Sequence, residues 1–287
     1  MIPGGIRLVA LIGDPVERSL SPAMHNAAFE ALGLNYVYLA LRVPREALGS
    51  AVAGARALNM IGMNVTHPHK INILGLLDEL DESASMVGAV NTVKNDSGKL
   101  IGYNTDGAGA VRALESEVGK LAGRKVLLLG AGGAARAIAF SLAEKGAELT
   151  IANRTASRAR ELAMSIKRGL GVDVGRIGIS RGELAKAIGH MDILINATTV
   201  GMYPNVNRTL VTADMMHRGL IVNDIVYEPL QTRLLKEAKK AGARTMTGLG
   251  MLIHQGALSF KIWTGRRAPI KVMAAAAKRE LRRWGRA

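Results

Sequence analysis

The chain has 287 residues, 48% of them hydrophobic, enough apolar surface for two ordinary domain cores and too much for a disordered chain. It has no cysteine, which excludes a disulfide frame, thiolate catalysis and thiolate metal ligation. The formal net charge is +15, from 38 Lys and Arg against 23 Asp and Glu, a balance that steers anions towards the surface. The cations are dispersed except for Lys278, Arg279, Arg282, Arg283 and Arg286. Five Tyr, three Phe and two Trp make no stacking platform for single strands, so the basic surface reads as solvated and a nucleic-acid partner is disfavoured. No apolar run reaches the roughly 18 residues of a membrane span. The patch RLVALIG is too short for a signal peptide, and a cytoplasmic protein without a membrane partner is expected.

Residues 7–13 read as a first strand. Ser21 and Pro22 suit the N-cap and first turn of a helix over 24–32, ended by Gly33. A strand over 36–41, a helix over 45–58 and a strand over 61–66 follow. Short helices are expected at 71–80 and 81–86, the second stopped at Gly88. Residues 89–94 and 99–103 pair as strands across Asn95-Asp96-Ser97-Gly98. A helix from Asn104-Thr105-Asp106-Gly107 to Val118 makes the crossing between domains.

The stretch 125–155 organises the second half. Val126 to Leu129 is an unbroken apolar run, as in a strand buried on both faces of a parallel sheet. Gly130, Gly132 and Ala135 then fit G-x-G-x-x-G/A. The first glycine allows the sharp turn, the second lets a pyrophosphate approach the backbone, and the small third residue lets helix and strand pack closely. A helix over 134–145, stopped by Gly146, presents its N-terminus to an anion, and 148–153 form the next strand. NAD sites place an acidic residue about 20 positions past the glycines. Here Asn153-Arg154-Thr155 stands there with Arg158 following, and an arginine pairs with a 2′-phosphate, so the preferred cofactor is NADP. Helices at 156–168 and 181–188 flank a loose Gly-rich region at 169–178. Strands at 192–197, 220–226 and 244–247 enclose a helix at 229–241. Two final helices, from Gly248 and from Pro269, have no strand between them and are expected to pack back on the first domain.

Four motifs carry polar groups at strand or helix ends of the first domain. Ser19 and Ser21 offer hydroxyls beside a helix N-terminus, which suits a carboxylate. Asn64-Val65-Thr66-His67-Pro68-His69-Lys70 offers Asn64, Thr66 and Lys70. His67 and His69 have no acid-rich partner motif, and no metal site is expected. Gly88-Ala89-Val90-Asn91-Thr92 brings Asn91, which can bond a substrate hydroxyl. Asp106 either caps the helix that follows it or accepts a hydrogen bond from a reacting alcohol.

Taken together, these motifs resemble the shikimate dehydrogenase family over essentially the whole length. The segments are GDPVERSLSPAMHNAAF at 13–29, NVTHPHK at 64–70, GAVNT at 88–92, NTDG at 104–107, GAGGAARA at 130–137, NRTASR at 153–158, NATTVGM at 196–202, DIVYEPLQT at 224–232 and GLGMLIHQGALSF at 248–260. The resemblance implies an α/β chain of two domains. Residues 1–107 with 249–287 would form a substrate domain completed by the C-terminal helices, and 108–248 a Rossmann-type NADP-binding domain. It implies reversible NADPH-dependent reduction of 3-dehydroshikimate to shikimate, in chorismate and aromatic amino acid biosynthesis. Lys70 and Asp106 match the catalytic pair. Ser19 and Ser21 match the carboxylate contacts, with Tyr227 close by, and Asn64, Thr66, Asn91, Asp106 and Gln255 match the ring-hydroxyl contacts. Gly130, Ala131, Gly132, Gly133 and Ala134, with Asn153, Arg154, Thr155 and Arg158, match the NADP segments. Thr198, Ile225, Gly248 and Met251 match the nicotinamide side, and Glu82 matches a cofactor contact. The family usually carries an apolar residue where His69 stands and often Val where His67 stands; neither departure touches the polar set. The partner is a small molecule, and a homodimer stays open. The alternatives are a variant that also uses quinate or NAD, a non-catalytic NADP sensor, against which Lys70 and Asp106 argue, and a nucleic-acid-associated basic protein.

Overall fold

The computed structural model describes residues 5–285, so Arg286 lies outside the described residues. The chain forms two compact α/β units, one running up to Thr105 and resuming at Ile253, the other spanning Asp106–Leu252.

The first unit is built on six strands: β1 (Arg7–Gly13), β2 (Tyr36–Arg42), β3 (Gly62–Val65), β4 (Glu79–Leu80), β5 (Thr92–Asp96) and β6 (Lys99–Tyr103), in the order β2-β1-β3-β5-β6-β4. β1 runs parallel to β2 and β3, whereas β5 is antiparallel to β3 and β6. Three helices, α1 (Ser21–Ala31), α2 (Leu48–Ala57) and α3 (Glu82–Val87), come from the same stretch. A core of Ile12, Val52, Met63, Val93 and Leu100 lies under α2 and the sheet.

Three local expectations are corrected here. Leu20, not Ser21, is the N-cap of α1; Ser21 is the first helical residue, and its N–H donates to Ser19 Oγ at 3.2 Å. Residues 71–80 do not form a helix. Only a 3₁₀ turn at Leu74–Leu76 survives, because Gly75 weakens the helix and Glu79–Leu80 gains more by pairing with β6. The hairpin between β5 and β6 turns on two residues, since Asp96 already pairs with Lys99. Ser97 at φ +54° and Gly98 at φ +95° supply the left-handed pair that a tight hairpin turn demands.

The second unit holds α4 (Asp106–Val118), β7 (Lys125–Leu129), α5 (Gly133–Glu144), β8 (Glu148–Ala152), α6 (Ala156–Leu170), β9 (Gly175–Ile177), α7 (Arg181–Ile188), β10 (Ile193–Asn196), β11 (Ile221–Asp224), α8 (Arg233–Lys240) and β12 (Arg244–Met246). The order β12-β11-β10-β7-β8-β9 is parallel throughout, so read from β9 it is 3-2-1-4-5-6, the doubly wound nucleotide-binding order. The order reverses between β7 and β10. Ligands of such sheets bind at the carboxyl ends of the strands at that reversal. β9 is a strand hidden from sequence reading inside the Gly-rich region; it is three residues long and gains its identity only by pairing with β8. α8 starts at Arg233 rather than near Pro229, because Thr232 caps it by accepting a hydrogen bond from Leu235 N–H at 3.3 Å. Leu127, Leu129, Leu184, Leu194, Val222 and Leu235 anchor the core on one face of the sheet.

Two helices close the chain: α9 (Leu249–Thr264), most of which belongs to the first unit, and α10 (Ile270–Trp284), which packs on α1. Trp263 Nε1 donates to the Val93 carbonyl at 2.9 Å and fixes α9 to the first sheet. Glycine at position 62 makes room for it, since a Cβ there would stand 2.5 Å from that indole nitrogen.

Helices α4 and α5 meet at Gly107. A Cβ there would lie 2.2 Å from Ser141 Oγ and 2.4 Å from the Ala137 carbonyl oxygen. Gly107→Ala is expected to destabilise the protein by about 1–3 kcal/mol through overpacking. Gly182→Ala, where a Cβ meets nothing within 4 Å, is expected to be neutral or slightly stabilising. Calorimetric melting checks both, and an unchanged Tm for Gly107→Ala contradicts the packing argument.

Candidate active site

In the second unit the turn after β7 is made of backbone. Gly130 has φ +114°, and a Cβ on it would sit 2.8 Å from the Ala197 carbonyl oxygen, so no other residue fits. Ala131, Gly132, Gly133 and Ala134 follow. Gly132 is the N-cap of α5, makes no side-chain capping bond, and opens on a side where a Cβ would meet nothing within 4 Å. Ala135 is fully buried and keeps helix and strand in close contact. This helix start, with glycine at its cap and no Cβ over its open side, fits the pyrophosphate of a dinucleotide. At the end of β8, Asn153 Nδ2 donates to the Thr155 carbonyl at 2.9 Å and shapes the turn into α6. Arg154 and Arg158 are exposed there, within the same unit.

The strand ends on the other side of the reversal carry the remaining candidates of this unit. Thr198 donates its hydroxyl proton to Asn196 Oδ1 at 2.7 Å. A Cβ on Gly248 would lie 2.2 Å from the Ile225 carbonyl oxygen, so these two backbones touch. Met251 is buried in the first turn of α9, and Tyr227 is half-buried in the loop after β11. Asp224, at the end of β11, is fully buried. Burial pushes its carboxyl up to about 6, against the lowering effect of bonds from Thr232, Val226 and Asn196.

In the first unit the polar candidates converge on one buried network. Asn64 Oδ1 accepts the Tyr38 hydroxyl at 2.7 Å, and its Nδ2 donates to the Asn91 carbonyl at 2.9 Å, to Thr92 Oγ1 at 3.1 Å and to Ser259 Oγ at 3.2 Å. Asn91 Nδ2 donates to Thr105 Oγ1 at 2.9 Å and to Gln255 Oε1 at 3.2 Å. Asn91 Oδ1 accepts the Thr105 N–H at 2.8 Å. Thr92 and Ser259 hydroxyls meet at 2.7 Å. β3, β5 and α9 thus each hold one part, and the amides are locked in orientation by their partners. Lys70 is half-buried, and its carbonyl accepts the Val90 N–H at 2.7 Å, one residue before Asn91. Thr66 is half-buried, with its N–H on the Ile12 carbonyl at 2.9 Å. Ser19 is half-buried and Ser21 buried at the start of α1.

Asn64, Asn91 and Gln255 are therefore brought together, and Ser19 and Ser21 stand at the start of α1 in the same unit. Asp106 is buried at the first position of α4, directly after Thr105 in the chain, and belongs to the second unit. Glu82 is exposed in the first turn of α3 and belongs to the first unit, whereas the other cofactor candidates belong to the second. His69 is buried with Nε2 at 2.7 Å from the Val43 carbonyl, whereas His67 is exposed, so the two rings do different things. Among the described residues no three His, Cys, Asp or Glu side chains cluster as metal ligands, and no helix is long and apolar enough to cross a membrane. Sequence reading did not single out Tyr38, Thr92, Thr105 or Ser259. Ser259 had a signal: it lies four residues after Gln255, one helical turn on the same face.

Three family models match the chain. Residues 11–93 match the shikimate dehydrogenase substrate binding domain, 112–227 match shikimate / quinate 5-dehydrogenase, and 248–278 match the shikimate 5′-dehydrogenase C-terminal domain. The chain belongs to the shikimate dehydrogenase family. A shikimate dehydrogenase (NADP(+)) of Methanopyrus kandleri is 55% identical over 278 residues, covering 96% of each chain. A shikimate dehydrogenase crystallised with NADP+ superimposes with a TM-score of 0.92 at 48% identity over 98% of each chain. The Thermus thermophilus shikimate 5-dehydrogenase, solved with NADP(H) and shikimate, gives a TM-score of 0.86 at 40% identity, covering 96% of this chain and 100% of the other.

The raised carboxyl of Asp224 has a measurable consequence. Its folded value of about 6 lies above the 3.8 of a free aspartate, so between those values the folded protein holds a proton that the unfolded chain has lost. This group's contribution to stability is greatest below about pH 4 and falls as pH rises through about 6, by about 3 kcal/mol in total. Urea unfolding at pH 4.5 and 6.5 is expected to show that decline in the wild type and to lose it in Asp224→Asn; equal slopes in both proteins contradict it.

Proposed function

We propose that this chain is a shikimate dehydrogenase, catalysing the reversible NADPH-dependent reduction of 3-dehydroshikimate to shikimate, with the first unit binding the substrate and the second the cofactor. The observation that carries the reading is the buried network of Asn64, Asn91 and Gln255. A ring with several hydroxyls needs both donors and acceptors at fixed positions, and carboxamides whose orientation is locked supply both. A site built in this way rejects ligands that leave its polar groups unpaired. Ser19 and Ser21 at the start of α1 hold the substrate carboxylate, aided by the N-terminal helix dipole and by the Tyr227 hydroxyl. Thr66 adds a hydroxyl contact to the ring.

Bound NADPH supplies the hydride that reduces the carbonyl carbon. The protein must then deal with charge growing on the carbonyl oxygen. Lys70 carries the ammonium that stabilises this oxygen and delivers its proton, and Asp106 orients the ammonium and accepts from the product hydroxyl. Anchoring of the Lys70 main chain to Val90 and of Asn91 to Thr105 supports this assignment, because it fixes the backbone next to each member of the pair. Gly130 to Ala134 receive the pyrophosphate, and Arg154 and Arg158 the 2′-phosphate, with Asn153 and Thr155 shaping their turn. Thr198, Ile225, Gly248 and Met251 line the nicotinamide side, and Glu82 adds a contact to the cofactor.

Lys70→Ala is expected to lower kcat by a factor on the order of 10²–10⁴ while the KM for 3-dehydroshikimate stays within a few-fold. Steady-state NADPH oxidation checks this, and kcat within a few-fold of wild type removes Lys70 from the reaction. Arg154→Ala is expected to raise KM for NADPH about tenfold and leave KM for NADH unchanged, as loss of one charge-assisted contact requires. An unaltered preference between the two cofactors contradicts the 2′-phosphate assignment.

A further inference from the structure

The buried carboxylate of Asp224 has no part in the chemistry just described, and its bonds form a directed chain. It accepts from Thr232 Oγ1 at 2.6 Å, from Asn196 Nδ2 at 2.9 Å and from the Val226 N–H at 3.1 Å. Asn196 ends the neighbouring strand β10, in register with Asp224. A carboxylate only accepts, so Asn196 must turn its NH₂ towards Asp224 and its oxygen away. That oxygen then accepts the Thr198 N–H at 3.1 Å and the Thr198 hydroxyl at 2.7 Å. With its proton committed, the Thr198 hydroxyl accepts the Val200 N–H at 3.1 Å. The Thr198 methyl is left beside the glycine turn, 3.2 Å from where a Cβ of Gly130 would be. On the other side the same carboxylate accepts the Val226 N–H and so fixes the chain around Ile225, whose carbonyl lies against Gly248.

We infer that Asp224 is a positioning residue for the nicotinamide half of the dinucleotide: through the Asn196 amide it sets the Thr198 side chain beside Gly130, and through Ile225 it holds the facing backbone, so that this wall exists before the cofactor arrives. The inference rests on the NADP reading proposed above. It differs from a general contribution to stability, since one of the three bonds to Asp224, that from Thr232, leads to α8 and away from Thr198.

Calorimetric titration of three variants separates these roles. Asp224→Ala is expected to weaken NADP+ binding at least tenfold and to leave 2′,5′-ADP, which lacks the nicotinamide half, within about twofold of wild type. Thr232→Val, which removes the shortest bond to Asp224 but not the path to Thr198, is expected to stay within about twofold for both ligands. Thr198→Val keeps the shape and the methyl group but breaks the chain, and is expected to follow Asp224→Ala; it carries the test should Asp224→Ala fail to fold. Equal weakening of NADP+ and 2′,5′-ADP, unchanged NADP+ affinity, or a Thr232→Val loss as large as that of Asp224→Ala would overturn the inference. A wild-type protein that binds 2′,5′-ADP but not NADP+ would also overturn it, whereas one that binds neither would overturn the proposed function itself.

Discussion

The second unit depends on how closely the backbone after β7 passes the end of β10. At Gly130 a single added carbon would stand 2.8 Å from the Ala197 carbonyl oxygen, a separation that packed atoms do not tolerate. The approach exists because β7 and β10 are neighbours in a parallel sheet whose strand order reverses between them. Chain leaving β7 turns one way into α5, and chain leaving β10 turns the other way, so the two turns flank a crevice. A side chain at Gly130 would force the turns apart and tilt the start of α5, on which the pyrophosphate reading depends. Gly248 repeats the device, its backbone held against Ile225. The crevice is therefore walled by main chain, whose positions are set by sheet geometry rather than by side-chain rotamers.

The first unit solves a different problem. Its carboxamides are buried, and a buried amide left without partners costs roughly 1–3 kcal/mol per unsatisfied group. Asn64 and Asn91 avoid that cost by sharing Thr92, Thr105, Gln255 and Ser259, which ties β3, β5 and α9 into one polar lattice. Tyr38 closes the lattice at Asn64, and its ring stacks on His25 at 4.5 Å. Burial pushes the His25 imidazole down to about 3, so the ring stays neutral and behaves as one more aromatic plate between Tyr38 and Phe260. Amides held by fixed partners and an aromatic layer packed against Tyr38 are what a site needs if it is to tell one hydroxyl pattern from another.

Much of this was legible in the sequence where one residue type answers one local demand. Gly130, Gly132 and Ala135 sit where a strand, a turn and a helix each require them, and Gly88 stops α3 in the left-handed conformation that favours glycine. What escaped sequence reading was set by distant partners. β9 is a strand only because β8 offers it an edge, and residues 71–80 give up helix for pairing with β6. Ser21 resembles an N-cap by type, yet the chain places Leu20 there and uses Ser19 to bond the next N–H but one. Ser259 and Tyr38 join the polar lattice from sequence distances of 195 and 26 residues to Asn64; the helical spacing of Ser259 from Gln255 hints at the first, and nothing in the spacing marks the second.

The proposed reaction is reduction of a ketone on a hydroxylated ring by direct transfer from the nicotinamide to the carbonyl carbon, with a side chain of the protein attending the oxygen. The measurement closest to that claim is the isotopic content of shikimate formed from 3-dehydroshikimate and NADPH deuterated at C4, with both C4 epimers of the label assayed in ordinary water. The account predicts that one epimer yields shikimate heavier by a single deuterium on the carbon that was the carbonyl, while the hydroxyl proton comes from solvent. Shikimate without deuterium from either epimer, or no shikimate at all, would contradict it.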